Sequence, residues 1–329
     1  MKKLLAFVFA VSILGADTQP YAPAGPPEVP PTPWLTGPLI APTGQVIPFG
    51  SFDLEAYVYA TTNTGTYNQN WNTVSAEHNF FSLNPQFFWF FGLTSWMDIN
   101  IIPQFFYNTT NGQHSWNFGD LPVALDFQLM SVGYTPYFPG IKFTVRETFP
   151  TGPYQNLDPN KLLTDQSGAG TFGTTFNLVL YDVYHIKDHF FISTTYSLAY
   201  TVTTPVHVHG FNTYGGGYGT DGYALPGQTF QAIMSFEFAL SQNWVIALDN
   251  VYTHVNATQF YGNPGTLLPG GRGGAANVGQ PSSEQISFAP AIEYNFGSNF
   301  GICAGCWFSA WGRNSTRFVS GVIEFVYTY

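Results

Sequence analysis

The closing stretch Val319-Ser320-Gly321-Val322-Ile323-Glu324-Phe325-Val326-Tyr327-Thr328-Tyr329 decides the reading of the chain. Val319, Gly321, Ile323, Phe325, Tyr327 and Tyr329 fall on one parity, and Ser320, Glu324 and Thr328 on the other. Successive side chains of a strand point to opposite faces, so this is the pattern of a strand between two different solvents. The same alternation recurs upstream. Ile286, Phe288, Ile292, Tyr294 and Phe296 alternate with Ser287, Ala289, Ala291, Glu293 and Asn295, and Phe230, Met234, Phe236 and Phe238 alternate with Gln231, Ser235 and Glu237.

Twelve such segments are predicted, near 50–61, 79–91, 96–107, 119–131, 140–149, 171–183, 190–202, 228–240, 243–254, 285–296, 300–311 and 317–329. An even count suits a single-chain transmembrane barrel, whose short periplasmic turns alternate with longer external loops. The expected short turns lie at 92–95, 241–242 and 297–299, and the expected long loops at 63–77, 151–170, 203–227 and 255–284; a brief turn near 312–316 breaks the rule. The expected fold class is therefore all-β, a transmembrane antiparallel barrel of about twelve strands.

Composition agrees. Aromatic residues make up 18% of the chain and charged residues only 9%, with 34 Gly, 20 Tyr and a mean hydropathy of +0.01. A water-facing surface usually carries about 25% charge. A wall that is apolar outside and polar inside averages near zero hydropathy, whereas a helical membrane protein is far more apolar.

The start reads as an export signal over residues 1–16. Lys2 and Lys3 precede an apolar run from Leu4 to Leu14, with Gly15 and Ala16 at the cut. Residues 17–49, rich in proline, favour extended backbone and cannot join a sheet interior. They are expected to be a periplasmic leader or a plug, with the barrel over 50–329. The expected location is the bacterial outer membrane, with lipid and lipopolysaccharide around the wall. The terminal aromatic Tyr329 resembles the signal by which the barrel-assembly machinery recognises a last strand.

Charge placement offers an independent test of parity, because a Lys or Arg facing lipid at mid-bilayer costs about 2 to 4 kcal/mol. Asp53, Glu55, Asp98, Asp126, Glu237, Asp249, Glu293 and Glu324 share the polar parity of their strands, as do Lys142 and Arg146. Glu147 and Arg317 alone fall on the other, beside expected external loops. Asp98, Asp126, Lys142, Arg146, Glu237, Asp249, Glu293 and Glu324 are thus the pore-lining candidates. The basic stripe of Lys142 and Arg146 either neutralises facing carboxylates or sets a transverse field across a constriction. The net charge of −10, more negative once Lys2 and Lys3 are removed, argues against nucleic acid as a partner.

Other chemistry is weakly signalled. Cys303 and Cys306 fall on opposite faces of a strand and read as small packing residues. His207 and His209 alternate, so one face could carry both rings to a metal, but polar loop residues explain them equally; neither metal nor cofactor is expected. The run Gly215-Gly216-Gly217-Tyr218-Gly219 lacks the Lys and Ser or Thr of a phosphate cradle. No GxSxG signature is present, and enzymatic activity is not expected. The aromatic runs Phe87 to Phe91 and Phe105 to Tyr107 must place about half their rings inward, as wall packing or as an apolar passage.

Gly119-Asp120-Leu121 before one strand, and Phe149-Pro150-Thr151-Gly152 after the next, resemble the outer-membrane family named for the meta-pathway of phenol degradation. That resemblance implies a transporter-like barrel akin to uptake channels for fatty acids and aromatic hydrocarbons. The expected function is an outer-membrane channel for small molecules, hydrophobic or aromatic ones included. The alternative is a structural or surface-interaction barrel, adhesin-like, without specific transport.

Overall fold

The computed structural model of the chain describes residues 32–133 and 138–329, and the expected export signal lies outside them. Twelve antiparallel wall strands run in chain order among the described residues. They are β1 (Phe52–Tyr67), β2 (Thr73–Thr94), β3 (Met97–Ile101 continued by Phe105–Thr110), β4 (Gln113–Phe118 continued by Leu121–Met130), β5 (Gly140–Phe149) and β6 (Gly173–Lys187). There follow β7 (Phe190–Thr203), β8 (Thr229–Ala239), β9 (Trp244–Val255), β10 (Ser283–Asn295), β11 (Phe300–Arg313) and β12 (Ser315–Thr328). Each pairs with its sequence neighbours, and β1 closes the wall on β12 from Asp53↔Thr328 to Tyr67↔Ser315. Closure removes the unpaired edges that hydrocarbon cannot satisfy.

Parity sorts the solvents as a barrel requires. On β12, Ile323, Phe325 and Tyr327 are exposed on the outside while Ser320, Val322, Glu324 and Val326 are buried. A soluble protein would do the reverse. Near the short turns the outer rings meet edge to face, with Trp244 and Tyr294 centroids 4.7 Å apart and Tyr294 and Phe296 4.8 Å apart. Such rings suit the interfacial girdle of a membrane barrel.

The expected long loop at 63–77 is a correction. β1 and β2 continue past the apolar zone to Tyr67 and from Thr73, leaving only five residues between them. Gly65↔Ser75 and Tyr67↔Thr73 still pair, across a bulge between Asn63 and Gly65. A ladder that leaves lipid for water keeps its hydrogen bonds and loses its apolar alternation, so parity ends before the strand does. The same holds for Phe105–Thr110 and Gln113–Phe118, joined by Asn111-Gly112 with φ of 44° and 77°. Asn-Gly is the favoured pair for a two-residue turn that needs left-handed backbone.

Prolines mark the wall's irregular seams. Pro290 coincides with a gap in the β10–β11 ladder between Phe288↔Phe308 and Ala291↔Gly305. Pro85 on β2 and Pro103 in the break of β3 lie close together in the ladder where pairing falls to Gln86↔Gln104 and a bond from Phe87 N to Pro103 O. Proline has no N–H to give a ladder.

The long loops carry their own structure. The strands Val206–His209, Asp221–Leu225 and Gln259–Asn263 form a small sheet linking two of them. A third loop, over residues 150–172, is anchored through Asp120.

Candidate functional site

The lumen is built from the inward parity of all twelve strands and from residues 34–49. These residues have no ladder of their own, and their N–H groups reach wall side chains. Thr36 N donates to Glu293 Oε1 (2.7 Å), Ile40 N to Asp249 Oδ2 (2.9 Å), Val46 N to Gln128 Oε1 (2.9 Å) and Ile47 N to Asp98 Oδ2 (2.9 Å). Asn295 Nδ2 in turn donates to Trp34 O at 2.7 Å. The segment therefore passes from β10 and β9 across to β4 and β3 before entering β1.

Apolar contacts fix its height. Leu39, fully buried, packs among Tyr57, Ala247, Ala289, Ala291, Cys303 and Val322. Ala41 packs against Ile233 and Val251, and Leu35 against Phe191, Ala239 and Val245. Small inward residues make the room. A Cβ on Gly305 would lie 2.8 Å from Leu39 Cδ2, and one on Gly301 2.4 Å from Thr36 Cγ2.

Against residues 38–43 lies a cavity of about 180 Å³. Tyr57, Tyr59, Phe88, Phe90 and Ile102 give it an aromatic and apolar lining, and Glu55, Asp126, Lys142, Thr144 and Arg146 a polar one. Tyr57 and Tyr59 stack with centroids 5.7 Å apart, and Tyr57 meets Phe88 at 5.1 Å. Lys142 Nζ lies 3.8 Å from Asp126 Oδ1 and donates to Thr43 Oγ1 at 3.2 Å. One cation thus ties the β4–β5 wall to the lumenal segment, and Thr144 Oγ1 donates to Asp126 as well.

The pore-lining candidates all face this interior. Asp98, Asp126, Lys142, Glu237, Asp249, Glu293 and Glu324 are buried, and Arg146 lines the cavity. They divide into groups. Asp98 and Asp126 are direct cross-strand partners beside Lys142, and Asp98, Asp249 and Glu293 hold the segment. Glu237 accepts from Ser193 Oγ and lines a second cavity of about 120 Å³ with Tyr181 and Thr43. Residues that parity did not single out include Leu39, Thr43 and the inward alanines and glycines. Their signal was an excess of small apolar residues on a parity that water alone would fill with polar ones.

The two motifs of the family resemblance meet at the loop end of the barrel. Asp120 Oδ1 accepts from Gly152 N at 3.0 Å, Asp120 Oδ2 from Ala169 N at 2.7 Å, and Gly119 O from Thr151 Oγ1 at 2.7 Å. Glycine is needed because the chains touch: a Cβ on Gly168 would sit 2.4 Å from Gly152 O. Tyr214, from another loop, donates its hydroxyl to Ala169 O at 2.7 Å, and burial pushes that hydroxyl's pKa up, so it stays a donor. The Gly215-to-Gly219 run is turn backbone here, with left-handed φ at Gly215, Gly216 and Gly219.

A closed antiparallel wall, apolar outside and charged inside, defines the class: a twelve-stranded outer-membrane β-barrel. A solved structure shares that fold. An outer membrane channel from Pseudomonas putida F1 is similar with a TM-score of 0.66 and 13% identity, over 88% of this chain and 100% of that one. The transport unit of an Escherichia coli autotransporter is similar at 0.46 and 10%, over 85% and 90%. A monoaromatic hydrocarbon channel is similar at 0.38 and 8%, over 86% and 89%. No protein-family model and no curated protein matches the chain.

Proposed function

We propose that the chain is an outer-membrane channel for small solutes bearing a single aromatic ring, stoppered in the described state by its own residues 34–49. The observation that carries this reading is the cavity lined by Tyr57, Tyr59, Phe88 and Phe90 together with Lys142 and Arg146. Its volume of about 180 Å³ suits one ring; an apolar cavity of about 150 Å³ is known to admit benzene. The aromatic residues offer stacking, and Lys142 and Arg146, which share the lining with Glu55 and Asp126, offer donors to a polar edge such as a hydroxyl. The fold of the P. putida channel and the motifs at 119–121 and 149–152 are in keeping with a transporter of this kind.

The stopper follows from the same contacts. A segment that buries Leu39 completely, and places N–H groups on three carboxylates of the wall, fills space a solute must cross. Passage requires it to move, or to yield where its proline-rich backbone lacks ladder bonds.

The test compares the mature chain with a form lacking residues 17–43, both folded into liposomes. The shortened barrel should conduct ions freely where the parent conducts little, and the parent should admit phenol or benzoate faster than a sugar of similar mass. Well-folded barrels that pass neither solute nor ion in either form would remove the channel reading.

A further inference from the structure

The sheet across the long loops brings together three side chains that no part of the proposed channel uses. Val206 and Val208 are buried with Tyr214 and Ala224, so the strand Val206–His209 must turn His207 and His209 to the opposite, open face. The register sets His209 directly opposite Asp221 and His207 opposite Tyr223. Asp221 Oδ1 lies 3.3 Å from His207 Nε2 and 3.1 Å from His209 Nδ1. All three ligand atoms fall within 4.8 Å of one another.

We propose that His207, His209 and Asp221 form a binding site for a borderline-soft divalent ion of the zinc class on the loop face of the barrel. Bonds of about 2.0 to 2.1 Å to nitrogen and oxygen in a tetrahedron put neighbouring ligands ~3.3 Å apart, which the two nitrogen-to-oxygen distances match. Two imidazoles and one carboxylate select zinc, copper or nickel over calcium or magnesium, which take oxygen ligands. The fourth position opens to solvent and takes water.

Supporting contacts hold the ligands. His209 N donates to Gln155 Oε1 at 3.0 Å and its carbonyl accepts from Asn156 N at 3.1 Å, so its backbone is fixed to the loop over 150–172. Tyr223 packs on the His207 ring at 4.6 Å. Little rearrangement separates these rings from a coordinating pose. A bound ion would join Val206–His209 to Asp221–Leu225 through side chains as well as backbone, stiffening the loop over residues 204–228.

The full mature barrel in detergent is titrated with zinc against a chromophoric chelator, and with Cu(II) followed by electron paramagnetic resonance. One zinc per barrel and nitrogen hyperfine structure from two imidazoles are expected. His207→Asn with His209→Asn should abolish both, and Asp221→Asn should weaken zinc by about tenfold or more. His254→Asn, which alters a separate histidine 3.6 Å from Glu284, should change neither. Heat-modifiable gel migration verifies that each variant is folded. Absence of stoichiometric uptake, uptake retained without His207 and His209, or zinc displaced by equimolar calcium would overturn the site.

Discussion

Replacing Leu39 by alanine tests the stopper where its sign is least ambiguous. Leu39 is fully buried among Tyr57, Ala247, Ala289, Ala291, Cys303 and Val322, all of them on the wall. If the segment leaves the lumen, the side chain passes into water, so truncation penalises only the seated state. Leu→Ala at a closed apolar site costs about 2 to 5 kcal/mol, the lower end where neighbours collapse onto the gap. A conservative value of about 3 kcal/mol, toward the lower end of that scale, is enough for the test. Each 1.4 kcal/mol is about tenfold, so the ratio of unseated to seated chains should rise roughly a hundredfold. Single-channel recording in a planar bilayer reads that ratio as open probability. Leu129→Ala, on the exposed outer face, removes the same atoms and should leave it unchanged. A uniform rise in conductance without discrete openings would mean that the vacated volume alone carries ions. An open probability within about twofold of the parent, in a barrel that folds normally, would refute the reasoning, since 3 kcal/mol cannot be hidden in such an equilibrium.

Two further outcomes follow from the same geometry. Lys142→Glu with Arg146→Glu removes the lumen's basic stripe and the Lys142 contact to Thr43; reversal potentials should move toward cation selectivity, and unchanged potentials would place these residues away from the constriction. Gly168→Ala drives a Cβ against the backbone of Gly152 and should release the loop over 150–172. Limited proteolysis is expected to nick that loop while the wall stays intact, at a cost of about 1 to 3 kcal/mol for overpacking.

Much of the wall was legible because its two faces meet different solvents. All twelve predicted segments fall on wall strands, and their charged residues other than Glu147 and Arg317, near the loop ends, were read on the inward parity because lipid rejects them. The rule lost its force where both faces meet water. Thr62 to Tyr67 and Gln113 to Phe118 are strands by pairing alone, and a polar strand reads like a loop. The third side chain beside His207 and His209 was invisible for another reason: Asp221 arrives through a register that buries Val206 and Val208, which local sequence does not encode. Motif spacing did carry a signal, since Asp120 and Gly152 belong to separate stretches that join by a hydrogen bond.

The acidic surplus of the lumen and the proline content of residues 17–49 are best understood together. A barrel interior with so many more carboxylates than cations is costly if it is dry, because each buried charge needs a partner. Lys142 answers for Asp126, but Asp249, Glu293 and Asp98 meet the backbone N–H groups of Ile40, Thr36 and Ile47 instead. An extended segment can offer such donors only because it belongs to no ladder, and Pro38, Pro42 and Pro48 keep it out of one by withholding theirs. The same prolines spare the lumen from unpaired N–H groups at intervening positions. Proline and carboxylate thus meet from two sides: the segment stays strandless, and its free N–H groups serve Asp98, Asp249 and Glu293 on the wall. On the proposed reading, a stopper held by a few directed bonds and one fully buried leucine would be released without opening the wall.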